Sequence, residues 1–284
     1  YKGTRVFNFA QGEFGTLAAF ILYVLIEQVT SPTIPYGVGV AIAILAVVLI
    51  GLGMERVVIR PLMSAPRITV LVATIAFALL AIGMEIILFL PEAKTLPPLT
   101  PTLDAEGVPR GPEVFDYFIE PQLLIIVGVL LALAVILGWF FSKTDLGLAV
   151  LATSQDAFAT RVVGIGVERM SRFIWGAAAF LGAVAGILYV PVTGALAPGV
   201  LTTGLLIPSF TAAVIGGMTS LPGAFVGGIA VGVIQALAGW AGQNYSAGGE
   251  LLQDRIPGFA NVALFLVLLL VLLVRPQGLL GKEA

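Results

Sequence analysis

The chain has no cysteine and no histidine among its 284 residues. Disulfides, thiolate or imidazole metal ligands, and Cys or His nucleophiles and bases are thereby excluded, and with them most familiar catalytic constellations. Charge is scarce as well. Asp, Glu, Lys and Arg make up 11% of the chain, less than half of the roughly 25% usual in a soluble domain. No G-x-x-x-x-G-K-S/T phosphate loop occurs. The tail Gly278-Leu279-Leu280-Gly281-Lys282-Glu283 fails that pattern in spacing and in its last residue, so this chain is not expected to hydrolyse ATP. It also lacks an arginine ladder for voltage sensing, a TVGYG-like filter, and the chain of intramembrane acids and bases that a proton relay uses.

What is present is hydrophobic: 59% of the residues, with 34 Gly and 17 Pro. Several apolar runs reach or approach the ~20 residues that cross a hydrocarbon core. This predicts an all-α, polytopic transmembrane bundle forming one domain over 1–284, with hydrophobic segments at 7–26, 37–54, 68–90, 122–141, 173–192, 205–219, 223–241 and 258–274. The segment 205–219 is short for a full crossing and contains Pro208 and the Gly216-Gly217 pair. It reads either as a broken or re-entrant helix or as a tilted helix beside thinner bilayer.

The net charge of −2 is uninformative by itself; the placement of Lys and Arg between spans is what orients the chain. Residues 55–67 hold Arg56, Arg60 and Arg67 against Glu55, and residues 142–172 hold Lys143, Arg161, Arg169 and Arg172 against Asp145, Asp156 and Glu168. Both loops are assigned to the cytoplasm. The Pro-rich connection 91–121 sets Lys94 and Arg110 beside Glu92, Asp104, Glu106, Glu113, Asp116 and Glu120, and is assigned to the opposite side. Continuing the alternation puts 193–204 and 242–257 outside, and 220–222 and the tail with Arg275 and Lys282 inside.

Asn8, Gln11 and Glu13 stand among apolar residues at the start of the first segment. A carboxylate in the middle of a spanning helix costs about 2.5–3.5 kcal/mol on insertion scales. Two explanations follow: a broken helix whose polar groups line a pathway, or a position at the cytoplasmic surface where Glu13 snorkels or caps a helix. Glu85 has no basic neighbour at helical spacing and reads as solvated at the outer interface, with a coupling-ion role as the alternative.

Within 142–172, Leu148, Leu151, Phe158, Val162 and Ile165 recur on one helical face while Thr153, Asp156 and Thr160 fall on another. An amphipathic cytoplasmic helix with one basic residue, Arg161, suits a groove on a protein partner better than a lipid surface. Small residues dominate the last third: Gly182 and Gly186, Gly223 and Gly227, and Gly228 and Gly232 are spaced for close helix approach.

Five stretches carry a family resemblance: Phe7-Asn8-Phe9-Ala10-Gln11-Gly12-Glu13-Phe14; Glu55-Arg56-Val57-Val58-Ile59-Arg60-Pro61-Leu62; Asp145-Leu146-Gly147 through Asp156, Ala157, Gly164 and Ile165; Gly216-Gly217-Met218-Thr219-Ser220-Leu221-Pro222-Gly223-Ala224; and Arg275-Pro276-Gln277-Gly278-Leu279-Leu280-Gly281. In this order and spacing, over nearly the whole chain, they resemble the integral membrane permeases of branched-chain amino acid ABC importers, the LivH/LivM group. Gln11 stands where that family usually has His, and Thr219 where it usually has Gly.

The resemblance implies a multi-pass permease subunit of a bacterial inner membrane. Its implied partners are a homologous permease, two cytoplasmic ATPases that use ATP and Mg, an extracytoplasmic substrate-binding protein and membrane lipid, with no cofactor bound by this chain and no nucleic acid. It makes residues about 145–166 the segment that couples to the ATPases, with Leu151, Phe158 and Val162 as anchors and Asp156 and Arg161 orienting it. Asn8, Gln11 and Glu13 become candidates to line the substrate pathway. It also implies one further helix upstream of Tyr1, in keeping with a start, Tyr1-Lys2-Gly3-Thr4-Arg5, that has neither initiator Met nor signal peptide. The competing readings are a permease for urea or short-chain amides, and an ATP-independent transporter or channel.

Overall fold

The computed structural model describes residues 6–28, 34–89, 92–100, 111–114, 117–247, 250–275 and 277–281. Residues 1–5, Asp104, Glu106, Arg110, Asp116, Pro276 and Lys282, which entered the sequence reading, lie outside the described residues. The chain is helical nearly throughout, as a backbone in lipid must be to satisfy its own N–H and C=O groups. The helices are α1 (Gln11–Tyr23), α2 (Tyr36–Met54), α3 (Arg67–Phe89), α4 (Pro121–Lys143), α5 (Asp145–Gln155), α6 (Ala157–Val162), α7 (Val167–Thr193), α8 (Val200–Gly216), α9 (Leu221–Asn244), α10 (Leu252–Arg255) and α11 (Phe259–Val274). Short π-helical turns extend α1 over Val24–Gln28 and α2 over Glu55–Ile59. Five described stretches are long and apolar enough to cross a membrane: Tyr36–Leu62, Arg67–Phe89, Pro121–Lys143, Val167–Thr193 and Leu221–Asn244. Val200–Gly216 and Phe259–Val274 are shorter apolar helices.

Two expectations about spans change. The short segment at 205–219 forms a helix five residues earlier, Val200–Gly216, which is unbroken although it contains Pro208. The first segment, expected over 7–26, becomes helical only at Gln11.

The chain forms two compact units that meet in sequence within α8, one over 3–203 and the other over 204–284. In the first, α7 packs along both α1 and α2, and α1 also touches α3. Its core holds Phe14, Phe20, Leu22, Val47, Ala179, Ala183 and Val190, all fully buried. Lipid gives helices no hydrophobic reason to associate, so close backbone approach has to supply the attraction. Gly15 and Gly186 provide it: a Cβ at Gly186 would collide with the Gly15 carbonyl, and one at Gly51 would sit 2.5 Å from Ala179 Cβ. A backbone pairing of Lys94 with Leu196, at 2.8 and 2.7 Å, joins two loops assigned to the same side of the membrane. Buried Gln122 ties the start of α4 to its surroundings, accepting from Leu99 N–H at 3.1 Å and donating to Leu188 O at 3.2 Å.

In the second unit, Ile215, Val231 and Leu264 form the core where α9 packs on α11. Gly217, at φ +93°, turns the chain out of α8 through a backbone conformation that favours glycine, and the Ser220 hydroxyl caps α9 by accepting from Gly223 N–H at 3.1 Å. The tail then folds back: Leu279 N–H donates to Ile215 O at 2.7 Å and Leu280 N–H to Gly216 O at 3.2 Å. Two of the five motif stretches, remote in sequence, are thus one structure.

Outside these contacts the helices present apolar side chains to their surroundings. Among the α4 side chains only Gln122 is buried. Trp139 near one end of α4 and the edge-to-face pair Trp240–Tyr245 at the end of α9 are exposed, as aromatic residues at membrane interfaces are.

Candidate functional site

The start of α1 is where the first unit departs from a simple bundle. Gln11 Nε2 donates to the carbonyl of Ala178 at 2.9 Å. Ala178 lies eleven residues into the 27-residue α7, roughly 16 Å along a helix of roughly 40 Å at 1.5 Å per residue. Helix α1 therefore begins well inside the bundle. A helix N-terminus there needs acceptors that water would otherwise supply. Asn8 provides two: its Oδ1 accepts from Ala10 N–H at 3.1 Å, and its carbonyl from Gln11 N–H at 3.3 Å. The buried Thr74 hydroxyl of α3 accepts from Phe9 N–H at 3.2 Å while donating to Leu71 O at 2.8 Å. Asn8 Nδ2 also donates to Gln11 Oε1 at 3.4 Å.

A second helix start arrives at the same place. The turn before α8 passes through Gly199, at φ +70°, and Leu201 N–H donates to Thr16 Oγ1 of α1 at 3.4 Å. A Cβ at Gly12 would collide with Thr202. Between these elements lies Glu13, fully buried, and against it Glu85 of α3, 1% exposed. Both approach Gly199: Glu13 Oε1 lies 3.8 Å from where a Cβ on that glycine would stand. Gly199 N–H donates to Glu85 Oε2 at 3.0 Å. Both Glu13 oxygens, Glu85 Oε1 and Thr202 Oγ1 have no hydrogen-bond partner among the described residues. Two expectations are corrected here. Glu13 does not snorkel to the surface, and Glu85 is not solvated at the outer interface: it is buried because Gly199, more than a hundred residues later, supplies its donor. Sequence reasoning missed Glu85, Gly199 and Thr202 as partners, since nothing at helical spacing links them.

On the side assigned to the cytoplasm, the segment 145–166 is two helices rather than one continuous amphipathic helix. Thr144 caps α5, accepting from Gly147 N–H at 3.0 Å. Asp156 has extended backbone and breaks the helix, and its Oδ1 accepts from both Phe158 and Ala159 N–H at 2.9 Å to cap α6. Its carboxylate thus serves this chain's own fold. The break also divides the expected face: Leu151 is half-buried in α5, while Phe158 and Val162 on α6 are 77% and 72% exposed. Arg161 is exposed and lines a cavity of about 330 Å³ with Glu168, Arg169 and Arg172. Beside it, Arg60 binds the buried Glu55 carboxylate at 3.0 Å and reaches Glu168 at 3.8 Å, joining the end of α2 to the start of α7.

The glycine pairs differ among themselves. A Cβ at Gly182 would lie 2.9 Å from Phe14 Cβ, one at Gly186 would strike Gly15, one at Gly223 would strike Gly216, and one at Gly227 would strike the carbonyl of Ala212. Gly228 and Gly232 meet nothing within 4 Å. These two are exposed within their own unit.

These elements define a multi-pass helical membrane bundle, with two helix starts meeting inside it and an exposed two-helix segment between long apolar helices. The chain belongs to the family described as branched-chain amino acid transport system / permease component, whose model matches residues 1–274. It is 32% identical over 284 residues to the high-affinity branched-chain amino acid transport system permease protein BraD of Pseudomonas aeruginosa, covering 97% of this chain and 86% of that protein. It is 27% identical over 281 residues to the corresponding protein LivH of Escherichia coli, covering 97% and 85%. A probable LivH of Methanocaldococcus jannaschii is 26% identical over 167 residues, 57% of this chain and 46% of that protein. No solved structure matches the chain.

Proposed function

We propose that this chain is the transmembrane subunit of an ATP-binding cassette importer for branched-chain or related amino acids in a bacterial plasma membrane. It would form half of the translocation pathway beside a homologous permease, receive substrate from an extracytoplasmic binding protein, and take its energy from two cytoplasmic ATPases. The observation that carries this reading is the continuity from α6 to α1. Exposed Phe158 and Val162 stand on a short helix that leads, past Gly164 at φ +86°, directly into α7. Helix α7 in turn packs by glycine contacts along α1. A displacement of α6 by an ATPase groove would reach the start of α1 through rigid helices, the kind of lever that alternating access requires.

In this arrangement Phe158 and Val162 anchor the segment, Leu151 supports it from α5, and Arg161 supplies the charge that orients it. Asn8, Gln11 and Glu13 line one wall of the passage when the α1 and α8 starts separate; in the conformation described here that junction is closed. Single cysteines at positions 8, 11 and 13, in a chain with no native cysteine, test the pathway. A reagent should label them in one nucleotide state and not in another, and labelling blocked equally in every state would contradict it.

A further inference from the structure

We propose that Glu13 and Glu85 hold one exchangeable proton between them, which makes their junction a proton-binding site inside the membrane. The inference goes beyond the importer reading and does not rest on it. Both side chains are buried, both carboxyl groups border Gly199, and three of their four oxygens have no donor among the described residues. An ionised carboxylate only accepts hydrogen bonds, so two of them at one junction have nothing to give each other. Two like charges side by side in a poorly solvated interior repel strongly, and each must also be stripped of water. One proton replaces this repulsion by an O–H···O⁻ hydrogen bond, among the strongest kinds in proteins. It leaves a single negative charge, towards which Gly199 N–H already donates on Glu85 Oε2. The Thr202 hydroxyl, unpartnered and packed against Gly12 next to Glu13, can turn to donate to that charge.

No neighbouring element among the described residues offers a cation instead. Among the described residues, α1 carries only Tyr23 besides Glu13, and α2 only Tyr36 as a titratable group. On α3 the other charge is Arg67, at the opposite end of the helix, and α8 has none. On α7, Glu168, Arg169 and Arg172 occupy the first two turns and Tyr189 the last. Glu55 is paired with Arg60, and Lys94, whose backbone adjoins the turn before α8, is paired through Nζ with Glu92. The described Lys and Arg residues form no ion pair with Glu13 or Glu85. The proton is enclosed where α1, α3 and the start of α8 converge, so it exchanges only when that junction opens.

Infrared spectroscopy of the permease in lipid nanodiscs, purified with whatever subunits accompany it, tests the proposal. The wild type should show one protonated carboxyl absorption per chain at neutral pH, shifting to lower frequency in D₂O. Both E13Q and E85Q should lose it, because the amide donates to the remaining carboxylate, and E55Q should keep it. A count of zero or two per chain in the wild type would overturn the proposal without recourse to any variant. So would a band that survives in one of the two variants, since the proton would then belong to a single residue, or sodium-dependent thermal stability in a wild type that shows no band.

Discussion

Glu13 and Glu85 converge on Gly199: its N–H donates to Glu85 Oε2 at 3.0 Å, and a Cβ placed on it would lie 3.8 Å from Glu13 Oε1. This one contact joins the start of α1, the C-terminal part of α3 and the turn into α8. Removing the acceptor should therefore cost more than a polar contact at the surface. Glu85→Ala leaves the Gly199 N–H buried without a partner, a loss of about 1–3 kcal/mol, whereas Glu85→Gln keeps a side-chain carbonyl as acceptor and should retain most of the stability. The melting midpoint of the detergent-solubilised protein distinguishes the two variants.

Close approach and open space make opposite predictions for glycines that look alike in sequence. Gly186→Ala forces a methyl group into the backbone of Gly15, which cannot move aside as a side chain can, and should destabilise by about 1–3 kcal/mol. Gly228→Ala and Gly232→Ala meet nothing and should stay within about 0.5 kcal/mol of the parent chain. Thermal unfolding of the three variants side by side is the check.

How much of this was legible in the sequence follows from the range of each interaction. Hydrophobic runs and loop charges are local, and they located the spans to within a few residues, including the Arg60 loop whose buried partner, Glu55, is only one helical turn away. The Glu85–Gly199 and Gln11–Ala178 bonds join residues more than a hundred positions apart, and no periodicity reveals them. GxxxG spacing at Gly182–Gly186 and at Gly228–Gly232 is identical, yet only the first pair meets another helix within the chain; spacing marks a permissive face without saying what covers it. The single helix expected over 148–165 failed at Asp156, a strong capping residue whose pull on the next turn outweighed the apolar period.

That cap can be separated from any role in partner binding. Asp156→Ala should weaken α6 by about 1 kcal/mol, and Asp156→Asn or Asp156→Ser, which also cap, should recover most of it. Hydrogen exchange at the amides of Phe158 and Ala159 reports this directly. If all three variants lose transport alike while exchange at these amides is unchanged, the aspartate acts on a partner rather than on its own helix.

The Glu55–Arg60 pair gives a further comparison. With Glu55 fully buried and Arg60 partly exposed, Arg60→Ala leaves an uncompensated carboxylate and should approach the low end of the about 3–5 kcal/mol seen for broken buried pairs. Glu55→Gln, which removes the charge while keeping the shape, should cost less. Denaturant midpoints of the two variants decide it.

Helix α6 is proposed to deliver the work of separate ATPases to this chain. The most direct measurement is purification of the subunit from its native membrane in mild detergent, with identification of the accompanying chains and an ATPase assay, for the parent chain and for a Phe158→Ala, Val162→Ala double variant. The account predicts that the parent carries phosphate-loop ATPases and a second permease, and that the double variant folds normally but loses the ATPases. Recovery of the parent chain alone, with no ATPase activity under conditions that keep other such complexes together, would contradict it.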